Sequence, residues 1–231
     1  MKEALEIGRP PMTFSHDENM SRKEPLVLMV PGLEGSGPGH WQRRWAEELD
    51  NCEIAELGSW STPHRNTWIN RLNLAVHRAG RPVIIVAHSL GCILTAWWSK
   101  FEQPAWGSPV AGALLVAPPE VDFFPRDDRL TGFAPTPGDA LPFPSILVGS
   151  RNDPWIGIET ARRMARQWGS EFVDVGNAGH INADSGLGSW EDGKVLLGRL
   201  MDRVPAQVGP SAPIAASAVN ADWAEGLEFR A

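Results

Sequence analysis

Six short apolar or β-rich runs, each followed by a longer stretch, constrain this chain more than any other feature of its sequence. They lie at 26–30, 52–57, 83–87, 111–117, 145–148 and 171–175. The strongest of them, LVLMV at 26–30 and VIIVA at 83–87, carry no alternation of polar and apolar residues, so both of their faces need cover. Most of the stretches between the runs supply that cover, because their apolar residues recur at helical spacing. Trp41, Trp45 and Leu49 define one such face, with Ser36 expected to cap the helix and Pro38 to sit in its first turn. Trp68, Ile69, Leu72 and Val76 define a second, stopped at Gly80. A broader face joins Leu90, Ile93, Leu94, Trp97, Trp98 and Phe101. Ile158, Ala161, Met164, Ala165 and Trp168 form another, and a last helix is expected near 190–200. The pattern predicts an α/β fold: a mostly parallel sheet of about six strands with helices on both faces.

No internal repeat and no linker interrupts this alternation, so one domain is expected over 25–204. Residues 1–24 are polar and aperiodic and read as a flexible arm. The segment 205–231, rich in Pro, Ala and Gly, reads as a loosely packed or mobile tail.

Charge narrows the partners. The net charge is −7 and no Lys/Arg cluster is present, which argues against a nucleic-acid-binding surface. No apolar run approaches the roughly 18 residues of a membrane helix, and the first 25 residues contain no signal-peptide core. Cys52 and Cys92 both sit in apolar segments and are expected to be reduced, which together with the missing signal core points to the cytoplasm. The histidines lack H-x-x-H or H-E-x-x-H spacing, so neither metal nor cofactor is expected.

In sheets of this kind ligands bind beyond the carboxyl ends of the strands, so reactive residues at those ends matter most. Ser89 stands in 83-VIIVAHSLGC-92, where a buried strand gives way to a helix within two residues. Such a turn lifts a serine hydroxyl above the sheet, and the small residues Ala87 and Gly91 on either side let strand and helix approach closely. The bland alternative is an ordinary helix-capping serine. A hydroxyl needs a base to become a nucleophile. Among the six histidines, His16 falls in the arm, His77 on a helix, and His88 is expected to point away from Ser89. His180, in the glycine-rich loop 176-GNAGHINADSGLG-188 after the last strand, is the candidate base.

The carboxylate that would orient this imidazole is Asp153, in 149-GSRNDPW-155, with Asp122 as competitor. Asp153 gives the chain order Ser…Asp…His. The loop 31-PGLEGSGPG-39 lacks both the G-K-[ST] ending of a nucleotide-binding loop and the dinucleotide G-x-G-x-x-G spacing. Its position after the first strand suits another purpose: the Leu33 N–H, with that of Leu90, can hold an oxyanion.

These blocks together resemble the small single-domain α/β-hydrolases of the retinoblastoma-binding-protein-9 and YdeN type. The resemblance rests on 29-MVPGLEGSGPGHWQRRW-45, 86-VAHSLGC-92, 149-GSRNDPW-155 and 179-GHINADSGLGSW-190. It implies a reduced α/β-hydrolase fold with little or no lid, a triad of Ser89, Asp153 and His180, and serine esterase activity. The expected function is hydrolysis of a small-molecule acyl ester through an acyl-enzyme. Amide or peptide hydrolysis by the same triad, and a protein-interaction role for the scaffold, stand as alternatives.

Overall fold

The structure, a computed structural model, describes residues 24–204. The expected arm over 1–24, apart from Glu24, and the expected tail over 205–231 lie outside the described residues. In chain order the elements are β1 (Leu26–Val30), α1 (Trp41–Glu48), β2 (Cys52–Ile54), α2 (Arg65–Arg78), β3 (Val83–His88) and α3 (Leu90–Glu102). They continue with β4 (Val110–Val116), β5 (Ser145–Gly149), α4 (Ile158–Trp168), β6 (Glu171–Asp174) and α5 (Glu191–Met201). Two short 3₁₀ turns, Asp128–Phe133 and Ala183–Ser185, lie in the stretches that follow β4 and β6.

The six strands form one sheet in the order β2-β1-β3-β4-β5-β6, and every pairing is parallel. Period-two alternation splits each central strand between two cores. Leu26, Leu28 and Val30 of β1, with Val83, Ile85 and Ala87 of β3, face the layer built by α2, α3 and α4. Val27, Met29, Ile84 and Val86 face the opposite layer, where Trp41 and Trp45 of α1 meet Leu197 and Leu200 of α5. The absence of polar residues from these strands is therefore a consequence of burial on both sides.

Some boundaries differ from the sequence pattern. Strand β2 stops at Ile54 rather than Leu57, because it is an edge strand with β1 as its one neighbour, and Ala55 makes a last bond to Met29 O before the chain leaves the sheet. Ser36 does not cap α1. A turn closed by His40 N–H to Gly37 O delays the helix, so Pro38 precedes the first turn and the His40 Nδ1 accepts from Gln42 N. Ser36 Oγ instead donates to Gln42 Oε1 at 2.7 Å. Phe101, assigned to the buried face of α3, is 58% exposed, in the last turn of that helix.

The topology fixes where chemistry can happen. The chain leaves β1 toward β2 on one side, then crosses back to β3 on the other, so the carboxyl ends of β1 and β3 flank a switch point. The loop 31–39 and Ser89 both emerge there.

Candidate active site

Ser89 sits between β3 and α3 with φ 53° and ψ −126°, a conformation that L residues rarely adopt. Its side chain makes no capping bond to α3, which removes the capping reading. Crowding enforces this turn. A Cβ on Gly91 would lie 2.2 Å from Val30 O, and one on Gly32 would lie 2.7 Å from Ser89 Cβ. Both positions therefore admit only glycine without displacement of backbone.

The Ser89 hydroxyl donates to His180 Nε2 at 2.9 Å. On the far side of the ring, Nδ1 lies 2.9 Å from each oxygen of Asp153 and donates its proton to that carboxylate. Asp153 is held in turn by its own loop, because Oδ1 accepts from Trp155 N at 2.9 Å. All three residues are buried, at 8, 9 and 8% exposure for Ser89, Asp153 and His180. A carboxylate in this position selects the imidazole tautomer whose bare Nε2 can take the hydroxyl proton, and it favours the imidazolium that results. Asp122 lies elsewhere: its Oδ1 accepts from Thr136 N within the loop after β4.

The loop that carries His180 is secured by side chains at successive peptide groups. Ser150 Oγ accepts from Ala178 N, Ser185 Oγ donates to Ala178 O, and Asn152 Oδ1 accepts from Gly179 N. His88 Nε2 donates to His180 O, and Trp41 Nε1 donates to Ile181 O. Ile181 is fully buried at φ 49°, unusual for a β-branched residue, and these bonds hold it there. His88 does point away from the hydroxyl, as expected, yet it serves the site by fixing the main chain of His180.

Two further histidines pack in series behind His180. The ring centroids of His88 and His180 are 5.0 Å apart, and those of His40 and His88 4.6 Å apart. Burial holds His88 well below the usual histidine range, reinforced by the nearby His40 and His180. Burial, then the charge of His180, lowers His40 to about 4. The His88 ring packed against His180 is thus held in its neutral form near pH 7, as is the His40 ring behind it. Sequence reasoning gave His40 no role. The one available signal was its place at the end of the loop 31–39, immediately before the helix.

Gly32, the residue before Leu33, abuts Leu90 at the mouth of the turn. The Cβ that Gly32 lacks would fall 2.9 Å from Leu90 N, so the loop after β1 runs directly against the first turn of α3. Among the described residues, neither the Leu33 nor the Leu90 N–H has a protein acceptor. For Leu90 that freedom is inherent to a helix N-terminus. Beside Leu33 and Ser89 lies a cleft of about 490 Å³, lined by Leu33, His40, Ser89, Arg129, Trp155 and His180 among others. A second recess of about 540 Å³ runs along β2 and α2, remote from Ser89 and lined by Arg71, Arg78 and Arg81. Cys92 is buried behind the turn and Cys52 half-buried; both are free thiols, and burial raises Cys52 to about 12, so neither is a reactive nucleophile. No group of His, Cys, Asp and Glu suited to a metal occurs among the described residues.

A parallel six-stranded sheet between helical layers, with a hydrogen-bonded Ser, His and Asp at its switch point, defines the α/β-hydrolase class. Within that class the chain belongs to the serine hydrolase family, whose model matches residues 27–199. It is similar to a YdeN-like hydrolase from Pectobacterium atrosepticum, with 32% identity, 77% of this chain and 90% of that chain covered, and a TM-score of 0.67. The ydeN gene product of B. subtilis shares the fold at 20% identity, with 78% and 100% covered and a TM-score of 0.63. Est1E of Butyrivibrio proteoclasticus, solved with ferulic acid bound, shares the fold at 13% identity, with 80% and 93% covered and a TM-score of 0.56. No curated protein matches the chain. The protein is a serine hydrolase related to the YdeN-like enzymes.

Proposed function

We propose that this hydrolase cleaves small acyl esters, with Ser89 as nucleophile, His180 as general base and acid, and Asp153 as the group that orients His180. The observation that carries the reading is the unbroken hydrogen-bonded line from Asp153 through His180 to Ser89, ending in a cleft beside two free N–H groups. In acylation, His180 Nε2 takes the Ser89 proton as Oγ attacks the ester carbonyl, and the N–H groups of Leu33 and Leu90 hold the developing oxyanion. The imidazolium then protonates the leaving alcohol. A water deprotonated by His180 attacks the acyl-enzyme and releases the acid.

The cleft volume of about 490 Å³ lies toward the lower end of small-molecule sites and suits a short acyl group. The carboxylic acid bound to Est1E, a relative in fold, is the class of product that ester hydrolysis releases and supports this reading. The working unit is the single domain over 25–204. No helix among the described residues is long and apolar enough to cross a membrane. Two free thiols support a reducing compartment such as the cytoplasm, with a small-molecule substrate as partner.

The test is labelling by a fluorophosphonate together with turnover of acetyl, butyryl and long-chain p-nitrophenyl esters and of peptide amides. Wild type should be labelled and should favour the short esters. Ser89→Ala should lose both labelling and, on the order of 10⁴-fold or more, turnover. Equal turnover by folded wild type and Ser89→Ala refutes the assignment, and amide cleavage outpacing ester cleavage redirects it to an amidase.

A further inference from the structure

We propose that Arg129 is a positioning residue that locks the oxyanion loop into shape through Glu34. The proposal rests on the reading of Leu33 as an oxyanion donor. Residues 32–35 form a tight turn closed by Gly35 N–H to Gly32 O at 3.0 Å. Gly32 C=O and Leu33 N–H belong to one trans peptide, so they point in opposite directions. The bond that pins the carbonyl toward Gly35 therefore also aims the Leu33 N–H.

The puzzle in this turn is its third residue. Glu34 has φ 63°, at the place where turns needing a positive φ ordinarily carry glycine. Glycine would adopt that conformation without strain, whereas glutamate needs its surroundings to hold it there. Two contacts do so. Glu34 N–H donates to Trp60 O at 3.0 Å, and the Glu34 carboxylate accepts from Arg129 Nη1 at 2.5 Å.

Arg129 is itself fixed from its own loop and from the loop after β2. Its Nε and Nη2 donate to the two oxygens of Asp127 at 3.0 and 2.7 Å, and Nη1 also donates to Ser61 O at 2.8 Å. One guanidinium thus ties together the loops that follow β1, β2 and β4, all at the carboxyl edge of the sheet. Glu34, Asp127 and Arg129 line the same cleft as Ser89. With each of its three nitrogens engaged and two carboxylates facing it, Arg129 is a strut between loops and not a receptor for an anionic substrate. Isolated exposed ion pairs contribute little, but a bidentate pair within a network is the arrangement that does contribute.

The experiment measures kcat and KM for p-nitrophenyl acetate in wild type, Arg129→Gln, Glu34→Gln and the double variant Arg129→Gln/Glu34→Gly, with melting temperatures as a check on folding. Arg129→Gln should lower kcat by about tenfold or more, up to the 10²–10³ expected when an oxyanion donor is lost outright, with KM little changed. Glu34→Gln should shift kcat in the same direction by less, and it preserves the test should Arg129→Gln fold poorly. Glu34→Gly in the Arg129→Gln background should recover most of the loss, because glycine holds the turn without the strut. A purely structural Arg129 does not predict that rescue. Unchanged kcat in folded Arg129→Gln, or a loss that glycine at 34 does not reverse, overturns the proposal. Failure of the underlying reading looks different: wild type itself shows no Ser89-dependent turnover.

Discussion

Acidification should destabilise this protein well before its carboxylates titrate, and His40 sets the size of the effect. The side chain is 4% exposed, its Nδ1 accepts from Gln42 N at 3.2 Å, and its Nε2 is buried without a partner. Burial, then the charge of His180, lowers its pKa from 6.5 to about 4. In the unfolded chain His40 takes up a proton near 6.5, but the native protein resists doing so until about 4. The contribution is therefore intact above the unfolded value and is lost progressively as pH falls from 6.5 toward 4. Linkage over this interval gives a loss of about 2 kcal/mol between pH 7.5 and pH 5.0. His88, also depressed, acts in the same direction. The lowered carboxylates Asp127 and Asp174 contribute only at more acid pH. Urea unfolding followed by tryptophan fluorescence at both pH values checks this in wild type and in His40→Asn. Asparagine keeps an acceptor at the helix cap and removes the titration. Wild type should lose about 2 kcal/mol more than the variant over this range. Identical pH dependence in the two proteins would refute a buried, neutral His40.

The remaining outcomes concern the turn, the acid and the base loop. Gly91→Ala should cost about 1–3 kcal/mol or more in denaturant titrations, because its new Cβ meets the Val30 carbonyl oxygen in the middle of the core. Asp153→Asn should keep the fold and lower ester turnover on the order of 10⁴-fold, while Asp122→Asn should leave turnover near wild type. The reverse ranking in two folded proteins would overturn the choice between them. His88→Leu leaves the buried His180 carbonyl without its donor and should cost about 1–3 kcal/mol of stability, read from the urea midpoint.

Much of the scaffold was legible because burial on both faces leaves a plain mark: strands such as 83–87 contain nothing polar, and helices such as α2 repeat their tryptophan and leucine at fixed spacing. Ser89 was legible because the strand-to-helix transition occurs around it within two residues. What the sequence withheld were effects of distant partners. Nothing near Ser36 shows that a turn at 37–40 will hand the cap to His40. Nothing near Phe101 shows that this last turn of α3 stays exposed. His88 reads as a neighbour of the serine, and its bond to His180 O spans 92 positions. Glu34 and Arg129 are 95 positions apart, and their pairing becomes visible only once three loops share one edge of the sheet.

The order of parts along the chain also sets a schedule for the newborn protein. Ser89 and its hydrogen-bond partner His180 are separated by 91 positions, and His180 follows every strand of the sheet. At ordinary translation speeds the serine emerges roughly 5–20 s ahead of His180. A nascent chain that has reached Asp174 already owns all six strands, yet its Ser89 still lacks the His180 imidazole it will hydrogen-bond. The loop that brings the imidazole is then fastened by Ser150, Asn152, His88 and Trp41, all of which were synthesised before it. On the proposed roles of Ser89 and His180, triad-dependent turnover is thus withheld until the body of the protein is ready to receive its last loop, and a truncated product of interrupted synthesis should lack it.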